Sequence, residues 1–350
     1  MFTNPFSTIF GGKPGVFFGR KDILARFKAA MVDEGSEDRA LFITGNRGSG
    51  KTALLEQLTQ VAKDNGRKVI DATGESGVST SKTVHYAVEG DLTAAFLEVA
   101  RKESHGVFVS VDEVQKIPQH DISLICDAFQ MASRKGYDVM LAIAGLPYAH
   151  EEVVQYEGCT YMRRAVHEEL GLFDPEEVRD AFEEAFGRSK GLEVSSDALG
   201  ELVSRSFGHP YVMQLLGYHL IAWINGRVQE RSYVVTADDV AEAAPLAIAA
   251  YERRALKPLL DVMPDEERRY LVAMARVADE NRVASTGDVA RELGKTTQQA
   301  SRARQALIGN GTIISVGRGE VMFNVPYLRE YITREPDADV NAGKVRRWKL

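Results

Sequence analysis

The sequence contains only two cysteines, Cys126 and Cys159, among its 350 residues. No cysteine lies at a metal-ligand spacing, so we expect neither a disulfide framework nor a zinc site, and the cysteine content fits a reducing compartment. No run of about 18 apolar residues occurs, which argues against a membrane-spanning helix. The first residues lack a basic segment followed by an apolar core, so we expect no signal peptide and a cytoplasmic location.

The chain also lacks an overall excess of basic residues, because its formal net charge is −7. Residues 1–263 carry 28 Lys and Arg against 38 Asp and Glu, whereas residues 264–350 carry 15 against 12. The acidic majority argues against a general nucleic-acid coat, and the mildly basic end permits a local contact with DNA. The length favours two or three domains.

One glycine-rich stretch fits the phosphate-loop pattern G-x-x-x-x-G-K-[ST] at every fixed position. It reads Gly45-Asn46-Arg47-Gly48-Ser49-Gly50-Lys51-Thr52. An apolar, strand-like run (40–44) precedes it and a helical pattern (52–63) follows, which is the context that a phosphate loop requires. The alternative is a glycine-rich turn before an ordinary helix. The pattern predicts that Lys51 reaches the β- and γ-phosphates of ATP and that the Thr52 hydroxyl binds Mg²⁺.

A second informative run is a buried strand pattern (106–111) that ends in two carboxylates, Asp112 and Glu113. A strand with this ending, after a phosphate loop, is the Walker B arrangement of ATPases. We expect Asp112 to hold the Mg²⁺ shell and Glu113 to polarise the attacking water as the catalytic base.

Alternating strand and helix patterns over residues 21–144 predict a parallel sheet with helices on both faces. The short connections from strands to helices place the phosphate loop, Asp112-Glu113 and Gly145 at one sheet edge, where a nucleotide should lie. The strand over 137–144 ends in Ala144-Gly145, which offers no polar side chain toward a phosphate. That end therefore contributes a backbone contact or has a purely structural role.

From Asp174 onward the patterns predict helices without strands, over 175–186, 195–207, 211–224 and 236–260. His209, next to Pro210 at a helix start, either points at a nucleotide or caps its helix. Three further helices (264–279, 285–293 and 296–308) and a hairpin (312–325) predict a winged helix-turn-helix. Its third helix presents Arg302 and Arg304 and its wing presents Arg318, all suited to DNA phosphates and base edges. The alternative is a winged helix that docks a protein.

With both Walker runs in place, the chain resembles the AAA+ ATPases of the origin-recognition and initiator group, in the bacterial and archaeal branch close to the STAND NTPases. The resemblance covers nearly the whole length. Besides the Walker runs and the winged helix, it depends on four short motifs: Asn4-Pro5-Phe6, Phe18-Gly19-Arg20, 144–147 and 208–210. It implies ATP held between an α/β base and a helical lid, with Phe18, Gly19 and Arg20 along the adenine and His209-Pro210 near the phosphates.

The resemblance also implies four segments: an AAA+ base (1–170), a helical lid (171–262), a winged helix (263–335) and a tail (336–350). Such ATPases often assemble so that an arginine of one subunit completes the site of its neighbour. Arg164, with Arg163 as its alternative, occupies about the right region, although both also fit a surface pair. The leading hypothesis is an ATP/ADP-dependent switch on double-stranded DNA, as a homo-oligomer or with protein partners. The alternative is a STAND-type signalling or defence ATPase.

Overall fold

A computed structural model describes residues 1–8, 16–73 and 92–334. These residues form two compact units. The sheet unit spans Ile9–Leu172, and the helical unit combines Met1–Thr8 with Phe173–Leu350. The predicted tail, 336–350, lies outside the described residues.

A parallel sheet forms the centre of the sheet unit. Its five strands follow the order β2-β3-β4-β1-β5. They are β1 (Ala40–Gly45), β2 (Lys68–Thr73), β3 (Val107–Asp112), β4 (Val139–Gly145) and β5 (Val166–Leu170). The register places Thr44 opposite Gly145, so the phosphate loop leaves the sheet beside the end of β4. The predicted parallel sheet is confirmed.

Helices cover both faces of this sheet, as the sequence predicts. They are α1 (Lys21–Ala30), α2 (Lys51–Asp64), α3 (Leu92–Lys102), α4 (Gln119–Arg134) and the short α5 (Ala149–Val153). On one face Phe27 and Leu58 pack in a core with Phe108. On the other face Ile122 and Phe129 of α4 pack in a second core with strand residues of the sheet. The strands are buried because they lie between these two layers.

The helical unit begins with four helices, α6 (Pro175–Gly187), α7 (Ser196–Ser206), α8 (Pro210–Asn225) and α9 (Ala237–Tyr251). The prediction that this region has no strand is wrong, because β6 (Leu192–Val194) and β7 (Tyr233–Val235) pair in parallel. The helix expected over 236–260 is interrupted by a π-helical turn, Glu252–Leu256, before α10 (Lys257–Asp261).

Residues 1–8, which the sequence assigns to the base, pack within the helical unit. The Asn225 side chain bonds both the backbone N–H and the carbonyl oxygen of Phe2. Phe6 lies against Phe182 and Phe186, and a Cβ on Gly217 would meet the Phe6 ring at 2.4 Å. Gly217 therefore makes the room for this N-terminal segment.

The C-terminal part of the helical unit contains the predicted three helices and hairpin. They are α11 (Asp265–Val277), α12 (Thr286–Glu292), α13 (Ser301–Gly309), β9 (Ile313–Gly317) and β10 (Glu320–Phe323). Two elements were not predicted, β8 (Val283–Ser285) and α14 (Leu328–Arg334). Strand β8 pairs antiparallel with β10, which gives a three-stranded sheet in the order β8-β10-β9. No helix among the described residues has the length and apolar character needed to cross a bilayer.

Candidate nucleotide site

The phosphate loop connects β1 to the N-terminus of α2. Gly50 caps α2 with φ 93°, a left-handed conformation that side chains rarely adopt. Lys51 is the first residue of the helix and is only 5% exposed. Its Nζ donates 2.8 Å hydrogen bonds to the carbonyl oxygens of Gly45 and Asn46, which fold the side chain back over the loop. Burial lowers the pKa of Lys51 to about 8, against the opposing effect of the nearby carboxylates.

Thr52 and Asp112 meet across 60 residues of sequence. The Thr52 hydroxyl donates a 2.7 Å hydrogen bond to Asp112 Oδ2, and Asp112 Oδ1 accepts one of 2.8 Å from the backbone N–H of Glu113. Burial raises the pKa of Asp112, although these two hydrogen bonds oppose the change. The two residues predicted to hold Mg²⁺ therefore lie side by side.

The loop carries a buried hydroxyl that fits a phosphate-bearing nucleotide. Ser49 Oγ and Asn46 Oδ1 are both buried and find no hydrogen-bond partner among the described residues, but only the Ser49 hydroxyl can donate to a phosphate oxygen, since the Asn46 oxygen can only accept. Such atoms are costly unless a ligand or water satisfies them. The donor set also fits Mg²⁺, which is usually held by one or two protein oxygens together with substrate phosphates.

Glu113 is connected to the end of β4 through a residue that the sequence analysis did not single out, Gln115. Gln115 Nε2 donates to Glu113 Oε2 at 2.7 Å, and Gln115 Oε1 accepts from the backbone N–H of Leu146 at 3.2 Å. Lys116 Nζ lies 3.3 Å from the same oxygen of Glu113. The sequence shows that Ala144-Gly145 offers no polar side chain at the end of β4, but it does not show that Gln115 reaches this end from another loop.

The Phe18-Gly19-Arg20 motif forms the turn before α1. Phe18 is buried, and Gly19 and Arg20 both have positive φ values, 60° and 54°. The Arg20 guanidinium donates a 2.6 Å hydrogen bond to the carbonyl oxygen of Gly171. The motif is therefore a fixed turn within the sheet unit, and its contact with adenine stays a prediction.

His209 and Pro210 belong to the helical unit. His209 occupies the N-cap position of α8 without a side-chain capping hydrogen bond, and its placement near a nucleotide stays a prediction. The ring is buried, and its centroid lies 5.7 Å from that of Tyr251. Pro210 fills the first helical position, where its missing N–H costs nothing.

Arg163 and Arg164 end a short 3₁₀ segment, Thr160–Arg164, just before the edge strand β5. Both are exposed, and neither has an ion-pair partner among the described residues. Met162, which directly precedes them, is fully buried in the core and holds the segment to the sheet unit. Their action in a neighbouring subunit stays a prediction.

The basic residues of the C-terminal part differ in their surroundings. Arg302 on α13 and Arg318 between β9 and β10 are exposed and have no ion-pair partner among the described residues. Arg304 is half-buried, close enough to Tyr270 of α11 to act on its pKa. Lys295, another base of this region, pairs with Glu266.

Comparison with known proteins places the fold. The structure is similar to the ORC2 protein of Aeropyrum pernix in its ADPNP-ADP complexes, with a TM-score of 0.68 at 12% identity over 95% of this chain and 98% of that one. It is also similar to Cdc6p of Pyrobaculum aerophilum, with a TM-score of 0.53 at 14% identity over 94% and 96%. A family described as a domain of unknown function (DUF8462) matches residues 254–332. No curated protein matches the chain.

The fold is therefore similar to that of these ORC2 and Cdc6p structures, and the similarity extends over nearly the whole chain. At 12–14% identity this similarity shows the fold alone.

Proposed function

We propose that the protein is an ATP-dependent switch that binds and hydrolyses ATP with Mg²⁺ in the sheet unit and engages duplex DNA through its C-terminal part. The contact between Thr52 and Asp112, beside a buried Lys51, carries the nucleotide half of this proposal. Bound Mg²⁺ would neutralise charge on the β- and γ-phosphates. Glu113 accepts the proton of the attacking water, and Lys51 binds the phosphate oxygens.

Equilibrium binding of a fluorescent ATP analogue tests the phosphate grip. Lys51→Ala should abolish binding or weaken it severely, because among the described residues no other buried cation lies in the loop. Lys63→Ala is the matched control, since Lys63 lies in the last turn of the same helix and is exposed. Equal ATP affinity in wild type and Lys51→Ala would refute the assignment.

The DNA half of the proposal depends on the winged-helix interpretation of α11 to β10. Arg302 and Arg318 project into solvent without ion-pair partners among the described residues, as phosphate-binding side chains would. The family branch close to the STAND NTPases and the assembly of subunits through Arg164 or Arg163 belong to the same proposal. So do the placement of Phe18, Gly19 and Arg20 along the adenine and of His209 and Pro210 near the phosphates.

A salt titration of duplex binding tests the DNA contact. Each neutralised phosphate contributes roughly 0.9 to the slope of log affinity against log salt. Replacing Arg302, Arg304 and Arg318 together with Ala should therefore weaken binding and flatten that slope by about two to three units. Single variants refine the test, because half-buried Arg304 should contribute less than Arg302 or Arg318.

Three observations favour the second candidate function, a signalling ATPase whose winged helix docks a protein. Lys295 is paired with Glu266, Arg304 is half-buried and lies near enough to Tyr270 to oppose the rise in its pKa that burial causes, and Val316 of the hairpin is 45% exposed. This leaves a less basic and more apolar surface than a strong DNA-binding domain usually presents. A wild-type protein that does not bind duplex even at low salt would support this candidate.

A further inference from the structure

The end of β4 offers no polar side chain of its own, but Gln115 reaches it from the connection that follows β3. In the short 3₁₀ segment Val114–Lys116, Gln115 bridges two elements of the candidate site, the Glu113 carboxylate and the backbone N–H of Leu146. The two hydrogen bonds fix the orientation of the amide. A backbone N–H can only donate, so the carbonyl oxygen must face Leu146 and the NH₂ group must face Glu113.

The space for this bridge depends on Gly145. A Cβ at Gly145 would lie 3.0 Å from Gln115 Oε1 and 2.7 Å from both Val114 Cγ1 and Ala149 Cβ. Contacts this close would displace the packing of the 3₁₀ segment against β4. The residue that deprives β4 of a side chain therefore also admits the side chain of Gln115.

Because of this bridge, the two oxygens of the Glu113 carboxylate have different hydrogen-bond partners. Oε2 accepts from Gln115 Nε2 and lies near Lys116 Nζ, whereas Oε1 has no hydrogen bond among the described residues. A carboxylate held at one oxygen cannot rotate freely, so its second oxygen has a fixed direction. Fixed direction is what proton transfer from a positioned water requires.

We propose that Gln115 is a positioning residue of the hydrolytic step, holding Glu113 Oε2 and tying it to the end of β4. This inference rests on the proposed ATPase function. In that step Glu113 Oε1 accepts a proton from water as the water oxygen bonds to the γ-phosphorus. The bond from the γ-phosphorus to the bridging oxygen breaks, and ADP and phosphate leave. Gln115 itself neither gains nor loses a proton.

Two variants of similar size separate the two hydrogen bonds of Gln115. Gln115→Glu keeps an oxygen that accepts from Leu146 but loses the donor to Glu113 and adds a like charge beside it. Gln115→Met loses both bonds. If Gln115 positions Glu113, both variants should lower kcat by about 10- to 100-fold, since a misplaced catalytic group costs up to that factor. KM and the equilibrium Kd for ATP should stay within about twofold, because neither bond touches the phosphate loop.

The measurement is steady-state ATP hydrolysis at pH 8 together with equilibrium ATP binding. Gln119→Ala is the matched control, because Gln119 is an exposed glutamine at the start of α4. A kcat for Gln115→Glu equal to that of wild type would overturn the proposal and leave Gln115 as a brace of β4 alone. A fall in ATP affinity equal to the fall in kcat would also overturn it. If wild type binds ATP without hydrolysing it, the proposed ATPase function itself fails and this inference fails with it.

Discussion

Glu113 combines an unusual backbone with the position expected of a catalytic base. Its φ of 53° and ψ of 44° lie in the left-handed region, which costs a non-glycine residue free energy. Strained residues of this kind cluster at functional sites. In this turn the Glu113 carboxylate accepts a hydrogen bond from Gln115.

The variant Glu113→Gln tests whether Glu113 is the catalytic base. This variant keeps the shape of the side chain but cannot accept the proton of water. ATP hydrolysis should fall at least ~100-fold while ATP still binds, because Lys51, Thr52 and Asp112 are untouched. Single-turnover hydrolysis measures the fall in rate, and equilibrium binding measures the affinity for ATP. Turnover near the wild-type rate would show that Glu113 is not the base.

An ion pair between a buried arginine and a partly exposed aspartate stabilises the sheet unit at the opposite ends of the strands from the candidate site. The Arg67 side chain is 2% exposed and donates two hydrogen bonds to the carboxylate of Asp138, which Arg39 also contacts. Burial alone would raise the pKa of Asp138, but the hydrogen bonds from the two arginines outweigh it and lower the pKa below its usual value.

This pair predicts the behaviour of Asp138→Asn. The variant should lose about 3 kcal/mol of unfolding free energy at pH 7, at the lower end of the range for broken buried pairs because Asp138 is 34% exposed. A carboxyl whose folded pKa is depressed stabilises the fold above its unfolded pKa, and this stabilisation is lost as the pH falls through the folded value. The difference between wild type and variant should therefore shrink below pH ~4. Urea unfolding at several pH values measures it, with exposed Asp33→Asn as the control, and a difference that persists undiminished at low pH would contradict it.

At the scale of elements, composition determines which strands the sequence predicts. Strands β1, β3 and β4 are apolar runs between helical patterns, and their positions were predicted to within one or two residues. Strand β5 was not predicted, because His167, Glu168 and Glu169 interrupt its apolar pattern. As the edge of the sheet it has one unpaired side, where charged residues are tolerated. Strands β6 and β7 have three residues each, which is too few for an alternation of apolar and polar residues to be recognised.

The residues of the candidate site also divide into those that the sequence predicts and one that it does not. Lys51, Thr52, Asp112 and Glu113 were predicted because their motifs are local in sequence and their elements alternate regularly. Gln115 could not be, because its significance depends on a hydrogen bond to Leu146, 31 residues away on a neighbouring connection. The sequence shows that β4 ends without a polar side chain, but it does not show which residue of a neighbouring connection contacts that end.

Three strained residues of the helical unit meet at one contact between its elements. Phe207, Arg282 and Tyr327 all have positive φ values, between 51° and 65°. The Arg282 guanidinium lies 4.2 Å from the Phe207 ring centroid, and the rings of Phe207 and Tyr327 meet edge to face at 5.1 Å. This joint connects the end of α7 to β8 and α14, and so connects the predicted lid to the predicted winged helix.

The joint predicts a measurable loss of stability for Tyr327→Phe. The Tyr327 hydroxyl donates a 2.6 Å hydrogen bond to the carbonyl oxygen of Arg205, in the last turn of α7. Removing the hydroxyl leaves this carbonyl without its partner, at a cost of about 1–3 kcal/mol. Urea unfolding measures the change, and Tyr218→Phe is the control because its ring is 36% exposed. Equal stability of Tyr327→Phe and the control would show that the hydroxyl contributes nothing to the joint.

At the scale of the whole molecule, the chain passes between the two units twice. It leaves the helical unit after Thr8, enters it again at Phe173, and forms the complete sheet unit in between. The N-terminal segment is fixed in the helical unit by Asn225, Gln214 and Arg254. Two covalent connections, after Thr8 and before Phe173, therefore join the sheet unit to the unit that carries Arg302 and Arg318.

The switch hypothesis predicts that ATP and duplex DNA influence each other's binding by the same factor. Coupling between two sites is reciprocal, and typical values correspond to about 5- to 150-fold changes in affinity. In the Glu113→Gln variant, which should bind ATP without hydrolysing it, saturating ATP should change the Kd for duplex at least ~5-fold. Saturating duplex should change the Kd for ATP equally, whereas adding Lys51→Ala should leave duplex binding insensitive to ATP. Fluorescence titrations in both orders measure the two factors. A protein that binds both ligands with no change in either Kd would be an ATPase and a DNA-binding protein in one chain, but not a switch.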